Sequence, residues 1–117
     1  MALNIPGIDE NIFNDLMDSD EDLYVSVLSS FIEKTPSVLS KLAAVSAETL
    51  PDYATTVHGL KGALANICAE EGRKMALNLE QKSRAGDLAA VQSENGPFLK
   101  YVEDLLVKLR EWNKNHS

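Results

Sequence analysis

Leu50-Pro51-Asp52-Tyr53-Ala54-Thr55-Thr56-Val57-His58-Gly59-Leu60-Lys61-Gly62-Ala63-Leu64-Ala65-Asn66-Ile67 is the stretch on which the fold turns. Its large apolar residues are Leu50, Tyr53, Val57, Leu60, Leu64 and Ile67, and they step alternately by three and four. That spacing is the mark of a helix buried along one stripe. Thr49 is a candidate N-cap, Pro51 suits a first helical turn, and the helix is expected to end near Cys68. Yet Gly59 and Gly62 sit inside it, each costing roughly 1 kcal/mol relative to alanine. The same stretch holds His58, one of two histidines in the chain, and Lys61 one turn further on. Packing alone does not call for that combination.

Working outward, every other segment also reads as helical. Upstream, Asp9 can cap a short helix carrying Ile12, Phe13, Leu16 and Met17. Asp18-Ser19-Asp20 breaks it. A long helix is predicted from about Asp20 to about Val45, with Tyr24, Val27, Leu28, Phe31, Val38, Leu39 and Leu42 as its stripe. Pro36 lies inside it and predicts a kink rather than a break, because the stripe continues past the proline. Downstream, a helix over about Ala69 to Arg84 turns Met75, Ala76 and Leu79 inward, and Ala85-Gly86 ends it. Asp87 is read as capping a short piece to about Ser93. Asn95-Gly96-Pro97 then interrupts, and Pro97 opens the last helix, which holds Phe98, Tyr101, Val102, Leu105, Leu106, Leu109 and Trp112. Residues 1–8 read as an extended lead-in and 114–117 as a frayed end.

These elements predict an all-α, up-down four-helix bundle with a short N-terminal helix covering one end. The 117 residues make one domain, and 44% hydrophobic content supports a real core. A net charge of −7 and a pI of about 4.7 argue against a nucleic-acid role, which needs a basic face, and against binding to an anionic membrane surface. Cys68 is the single cysteine, so no internal disulfide forms, in keeping with a reducing compartment. The first residues lack a basic, apolar leader, and no window is apolar for long enough to span a membrane. A cytoplasmic, monomeric protein is expected.

His58 falls roughly 130° from the centre of the apolar stripe, so it points outward. Thr55, Ala54, Lys61, Gly62 and Ala65 are read as its neighbours on that outer face, four of them small. An accessible imidazole is a nucleophile near neutral pH. A lysine one turn away offers a point charge to a phosphoryl group. Gly62 lets a partner's backbone come close. No second histidine and no Glu-x-x-His pair lies on this helix, which speaks against a metal site. No Gly-rich nucleotide loop occurs either. Read without further context, Glu48, Asp52, Glu70, Glu71 and Glu80 are ordinary surface acids.

His58-Gly59-Leu60-Lys61-Gly62 resembles the core of the histidine-containing phosphotransfer (HPt) domain, whose pattern is His-x-Leu-Lys-Gly on a bundle helix. The flanks are similar too: Gly7-Ile8-Asp9, Asp20-Glu21-Asp22-Leu23-Tyr24, and Leu79-Glu80 followed by Arg84-Ala85-Gly86-Asp87. The likeness covers about residues 7–110. It implies that His58 carries the phosphoryl group on Nε2, that Lys61 stabilises it and that Gly62 admits the partner. Glu80, 22 residues after the histidine, stands where the family places a polar residue on the other imidazole nitrogen, with Gln81 adjacent. One departure is Cys68. The family carries glycine there, and a cysteine resists positive φ, so this turn is expected to take another backbone shape.

The resemblance implies a phosphorelay intermediate rather than an ATP-dependent enzyme. It would take a phosphoryl group from a receiver aspartate or a sensor histidine kinase, hybrid kinases included, and pass it to a response-regulator receiver aspartate. It needs no cofactor of its own, and Mg²⁺ belongs to the receiver. The alternatives are a helical docking module that transfers nothing, and the phosphotransfer module of a larger hybrid kinase. Met1 and the closed bundle favour a free-standing protein over the latter.

Overall fold

A computed structural model describes residues 5–18 and 20–116. Among them are five α-helices: α1 (Glu10–Met17), α2 (Glu21–Leu42), α3 (Leu50–Asn66), α4 (Glu70–Arg84) and α5 (Leu88–His116). Expectations for residues 1–4, Ser19 and Ser117 lie outside the described residues. Each long helix packs on its neighbours in the chain, and α5 closes the ring onto α2. The result is the predicted up-down four-helix bundle. α3 and α4 form the most extensive pairing.

Local chemistry sets the helix starts. Asp9 accepts hydrogen bonds from the Asn11 and Ile12 amides, and Asp20 from the Leu23 amide. Phe13 on α1 meets Tyr24 edge-on, and Tyr24 meets Trp112 the same way. The Tyr24 hydroxyl donates to the Ile67 carbonyl at 2.9 Å. These contacts seat α1 over the end of the bundle where α2 begins and α3 and α5 finish. The stripe on α3 is buried throughout: Leu50, Tyr53, Val57, Leu60, Leu64 and Ile67 all face the core.

Four expectations change. First, α2 stops at Leu42 instead of Val45. The buried Asn95 amide donates to the Leu42 carbonyl at 2.7 Å, which occupies one of the helix's last acceptors. Second, Thr49 stands at the N-cap position of α3 without capping it. Its hydroxyl turns back to accept from the Ser46 amide at 2.9 Å.

Third, no break separates 88–93 from 97–116, because α5 is one helix of 29 residues. At 1.5 Å per residue it is about 43 Å long, close to the 45 Å long axis of the molecule. Val91, Asn95, Phe98, Val102, Leu105 and Leu109 are its buried stripe, and its steps of four and three pass through Pro97 without a slip. Ser93 and Pro97 lie on the solvent side, where water can take the Ser93 carbonyl that the proline leaves without a donor. Asn95 is held from both sides, since its Oδ1 also accepts from the Tyr53 hydroxyl at 2.7 Å. Fourth, the chain stays helical to His116, whose ring stacks on Trp112 at 4.0 Å instead of fraying from 114.

Candidate functional site

Two adjacent helices bring the candidate residues together. His58 and Lys61 are one turn apart on α3, and Glu80 and Arg84 are one turn apart on α4. The close α3–α4 seam depends in part on Gly72, where a Cβ would come within 3.1 Å of the Leu64 side chain. The turn between the helices sets the register. Cys68 has φ +64°, so it does adopt the left-handed conformation, against expectation. Its amide donates to the Ala65 carbonyl, and the Ala69 amide reaches back to the Leu64 carbonyl. That pair of bonds is a Schellman cap. α4 ends the same way, with Gly86 at φ +79° and the Asp87 amide on the Lys82 carbonyl. Cysteine therefore does the work of glycine at the end of α3. Its thiol is buried, and burial pushes its pKa up to about 11.

Glu80 is the hub of the site. It is only 7% exposed, so it is not the surface acid its residue type suggests. Its Oε2 lies 2.8 Å from His58 Nδ1, and its Oε1 accepts from Lys61 Nζ at 2.7 Å. Arg84 Nε donates to Oε2 at 3.0 Å. The Lys61 bond, followed by those of Arg84 and His58, outweighs desolvation and holds the carboxyl at about 2, far below the usual range. Glu80 is therefore ionised at neutral pH and can only accept. His58 Nδ1 must then be the donor, and of the two neutral tautomers this selects the one with its proton on Nδ1 and a lone pair on Nε2. The His58 side chain is 58% exposed, so that lone pair is open to solvent.

Lys61 is not a free surface charge, because it is mostly covered and paired with Glu80. Gly62 is exposed, and a Cβ there would meet nothing within 4 Å, as at Gly59. The surface beside His58 is thus bare on this side. Thr55 is exposed as expected, but Ala54 is buried instead of facing outward, and it lines a hollow with Ser83 and Arg84 of α4. Arg84 is the residue that sequence reading left without a role. Its signal was the i,i+4 spacing from Glu80, which puts acid and base on one helix face.

A groove runs along the α2–α3 seam next to the histidine, lined by Phe31, Val38, Leu60, Lys34, Lys41 and Gly59 among others. No acidic side chain lines it, in a chain of 18 acids. Among the described residues no group of three or more His, Cys, Asp or Glu side chains gathers as a metal site would require. No helix among them is long and apolar enough to cross a membrane.

Comparison with known proteins gives one family. The model of the Hpt domain matches residues 26–112, which spans α2 to α5 and includes all four side chains of the site. No curated protein and no solved structure matches the chain.

Proposed function

Because the chain belongs to the Hpt domain family, whose members are phosphocarrier modules of two-component signalling, we propose that His58 is the phosphoacceptor of a phosphorelay. The observation that carries this reading is the Glu80 carboxylate on His58 Nδ1. In the neutral ring it makes Nε2, on an exposed side chain, the nitrogen that bears the lone pair.

The step follows from that geometry. Nε2 attacks the phosphorus of a receiver's aspartyl phosphate. The P–N bond forms as the acyl P–O bond breaks, and the electron pair returns to the receiver carboxylate. The Nδ1 proton stays in place, shared with Glu80, which stabilises the positive charge gathering on the ring. Lys61 turns one N–H toward the phosphoryl oxygens. Transfer onward to a second receiver aspartate is the same step reversed. Mg²⁺ and the acidic pocket come from the receiver, and this chain contributes no cofactor. The bare surface at Gly59 and Gly62 and the groove with Lys34 and Lys41 suit an acidic partner. The carrier acts as a monomer in the cytoplasm, between a sensor histidine kinase and a response regulator.

The test is transfer itself. The chain is mixed with a purified receiver domain charged by acetyl phosphate, and the label is followed onto the chain. A linkage stable in base and labile in acid marks phosphohistidine. A chain that takes no label from any receiver of its organism is not a phosphocarrier.

A further inference from the structure

Resting on the reading of His58 as phosphoacceptor, we infer that Arg84 is a positioning residue: it stays on Glu80 as a standing counter-ion and so releases Lys61 to the phosphoryl group.

Lys61 faces two competing demands. Lys61 Nζ sits 2.7 Å from Glu80 Oε1, and the same ammonium is the cation placed to meet the phosphoryl group. Glu80 is nearly buried, and a buried carboxylate without a cation is costly. If Lys61 were its only cation, each move toward the phosphoryl group would push Glu80 to take up a proton. A protonated carboxyl has an O–H of its own and no longer compels Nδ1 to donate. Tautomer control over His58 would be lost at the moment it is needed.

Arg84 removes the conflict. It binds Oε2, the oxygen that also holds His58 Nδ1, and leaves Oε1 to Lys61. A guanidinium is a permanent cation, unlike an amine that can lose its proton when buried. The pair is i,i+4 within α4, so its geometry does not depend on the partner's approach. Arg84 also lines a hollow with Ala54 and Thr55, one turn before His58, while Lys61 lies one turn after it. The two cations thus bind different oxygens of the carboxylate, Lys61 on Oε1 and Arg84 on Oε2. The charged and titratable groups that face Glu80 are His58 and Lys61 from α3 and Arg84 from its own helix.

The rival role for Arg84 is direct contact with the phosphoryl group, and a double-variant cycle separates the two. Arg84→Ala, Glu80→Gln and the double variant are compared in transfer rate from an acetyl-phosphate-charged receiver. Glu80 is also titrated by carboxyl NMR in the wild type and in Arg84→Ala. The counter-ion role predicts that Arg84→Ala slows transfer roughly fivefold and raises the Glu80 midpoint by about one pH unit. Arg84→Lys restores part of the rate. On the Glu80→Gln background, Arg84→Ala changes the rate by less than about twofold, since a neutral amide needs no counter-ion. An equal loss on both backgrounds overturns the proposal in favour of direct contact, and an unmoved Glu80 midpoint overturns it outright. A wild-type chain that takes no label refutes the phosphocarrier reading instead, and the titration still decides whether Arg84 holds Glu80 ionised.

Discussion

Glu80 Oε2 stands 2.8 Å from His58 Nδ1, across the α3–α4 seam and 22 residues along the chain. One oxygen thereby sets the tautomer of the ring, and the exposed nitrogen is the one left to react. The same carboxylate gathers Lys61 and Arg84, so the site carries a net positive charge in a chain of net −7.

That cluster makes stability depend on pH in a defined window. The Glu80 carboxyl falls from its ordinary 4.5 to about 2 in the folded state. A depressed folded value contributes stability above the unfolded pKa and loses it as pH falls through the folded one. The contribution is therefore full above pH 4.5 and gone near pH 2. After screening around the exposed His58 and Arg84 side chains it amounts to about 1 kcal/mol. Urea denaturation of wild type and Glu80→Gln at several pH values is expected to show a gap at pH 7 that closes over this window. A gap independent of pH would deny the ion cluster this role.

His58→Gln is expected to abolish labelling and leave the fold intact. The imidazole is mostly exposed, and Glu80 keeps Lys61 and Arg84 when it is removed. Stability should stay within about 0.5 kcal/mol of wild type. Labelling at the wild-type level would place the phosphoryl group on another residue.

Much of this was legible in sequence, for reasons that can be named. The three-four stepping of Leu50 to Ile67 fixes both the buried face of α3 and the outward direction of His58. Asp9 and Asp20 announce their helices because short acidic side chains satisfy free amides. What sequence missed lay in contacts between distant segments. Asn95-Gly96-Pro97 carries every local sign of a break, but Asn95 is bound to Tyr53 and Leu42 across the core. Ala54 is small enough to be read on either face, and in the fold it is buried beside the hollow it lines with Ser83 and Arg84. Glu80 reads as a surface acid by residue type alone; the family resemblance points it at the imidazole, but its burial and its bond to Arg84 come only from the packing of α3 on α4.

Cys68 offers a test of how a side chain sits at φ +64°. A non-glycine residue in the left-handed region costs about 1 kcal/mol, and Cys68→Gly would relieve it. The buried thiol contributes about as much through packing, so the two effects nearly cancel. Cys68→Gly is expected to change stability by less than about 1 kcal/mol. Cys68→Val adds β-branching in the same conformation and should lose about 2 kcal/mol or more. Equal stability of the two variants would mean that the turn has abandoned positive φ.

Asn95→Ala should be among the more damaging substitutions away from the site. It strands the Tyr53 hydroxyl and the Leu42 carbonyl in the interior at once. Burial raises the Tyr53 pKa to about 12, so the hydroxyl stays a donor in need of an acceptor. Two orphaned groups cost about 2–4 kcal/mol, whereas Tyr53→Phe, which removes one donor and leaves Asn95 bound to Leu42, costs about 1 kcal/mol. On the Tyr53→Phe background, Asn95→Ala should cost less than it does alone, because one orphan has gone. Additive losses in chemical denaturation would contradict the shared bond.

Pro97→Ala distinguishes a continuous α5 from a helix that starts at the proline. Inside a helix, proline withholds the donor for the carbonyl four residues back, here Ser93, and is about 3 kcal/mol worse than alanine. Because Ser93 and Pro97 face solvent, water already offsets part of that loss. The looser unfolded chain of the variant takes back a further part, about 0.5–1 kcal/mol. A net gain of about 1–2 kcal/mol is expected in urea denaturation, with more helix by circular dichroism. At a first helical position the outcome would differ in sign. There the missing donor has no partner to lose and the fixed φ is an advantage, so alanine would be neutral or destabilising. A gain therefore requires that the chain be helical on both sides of Pro97, as the unbroken stripe from Val91 to Leu109 implies.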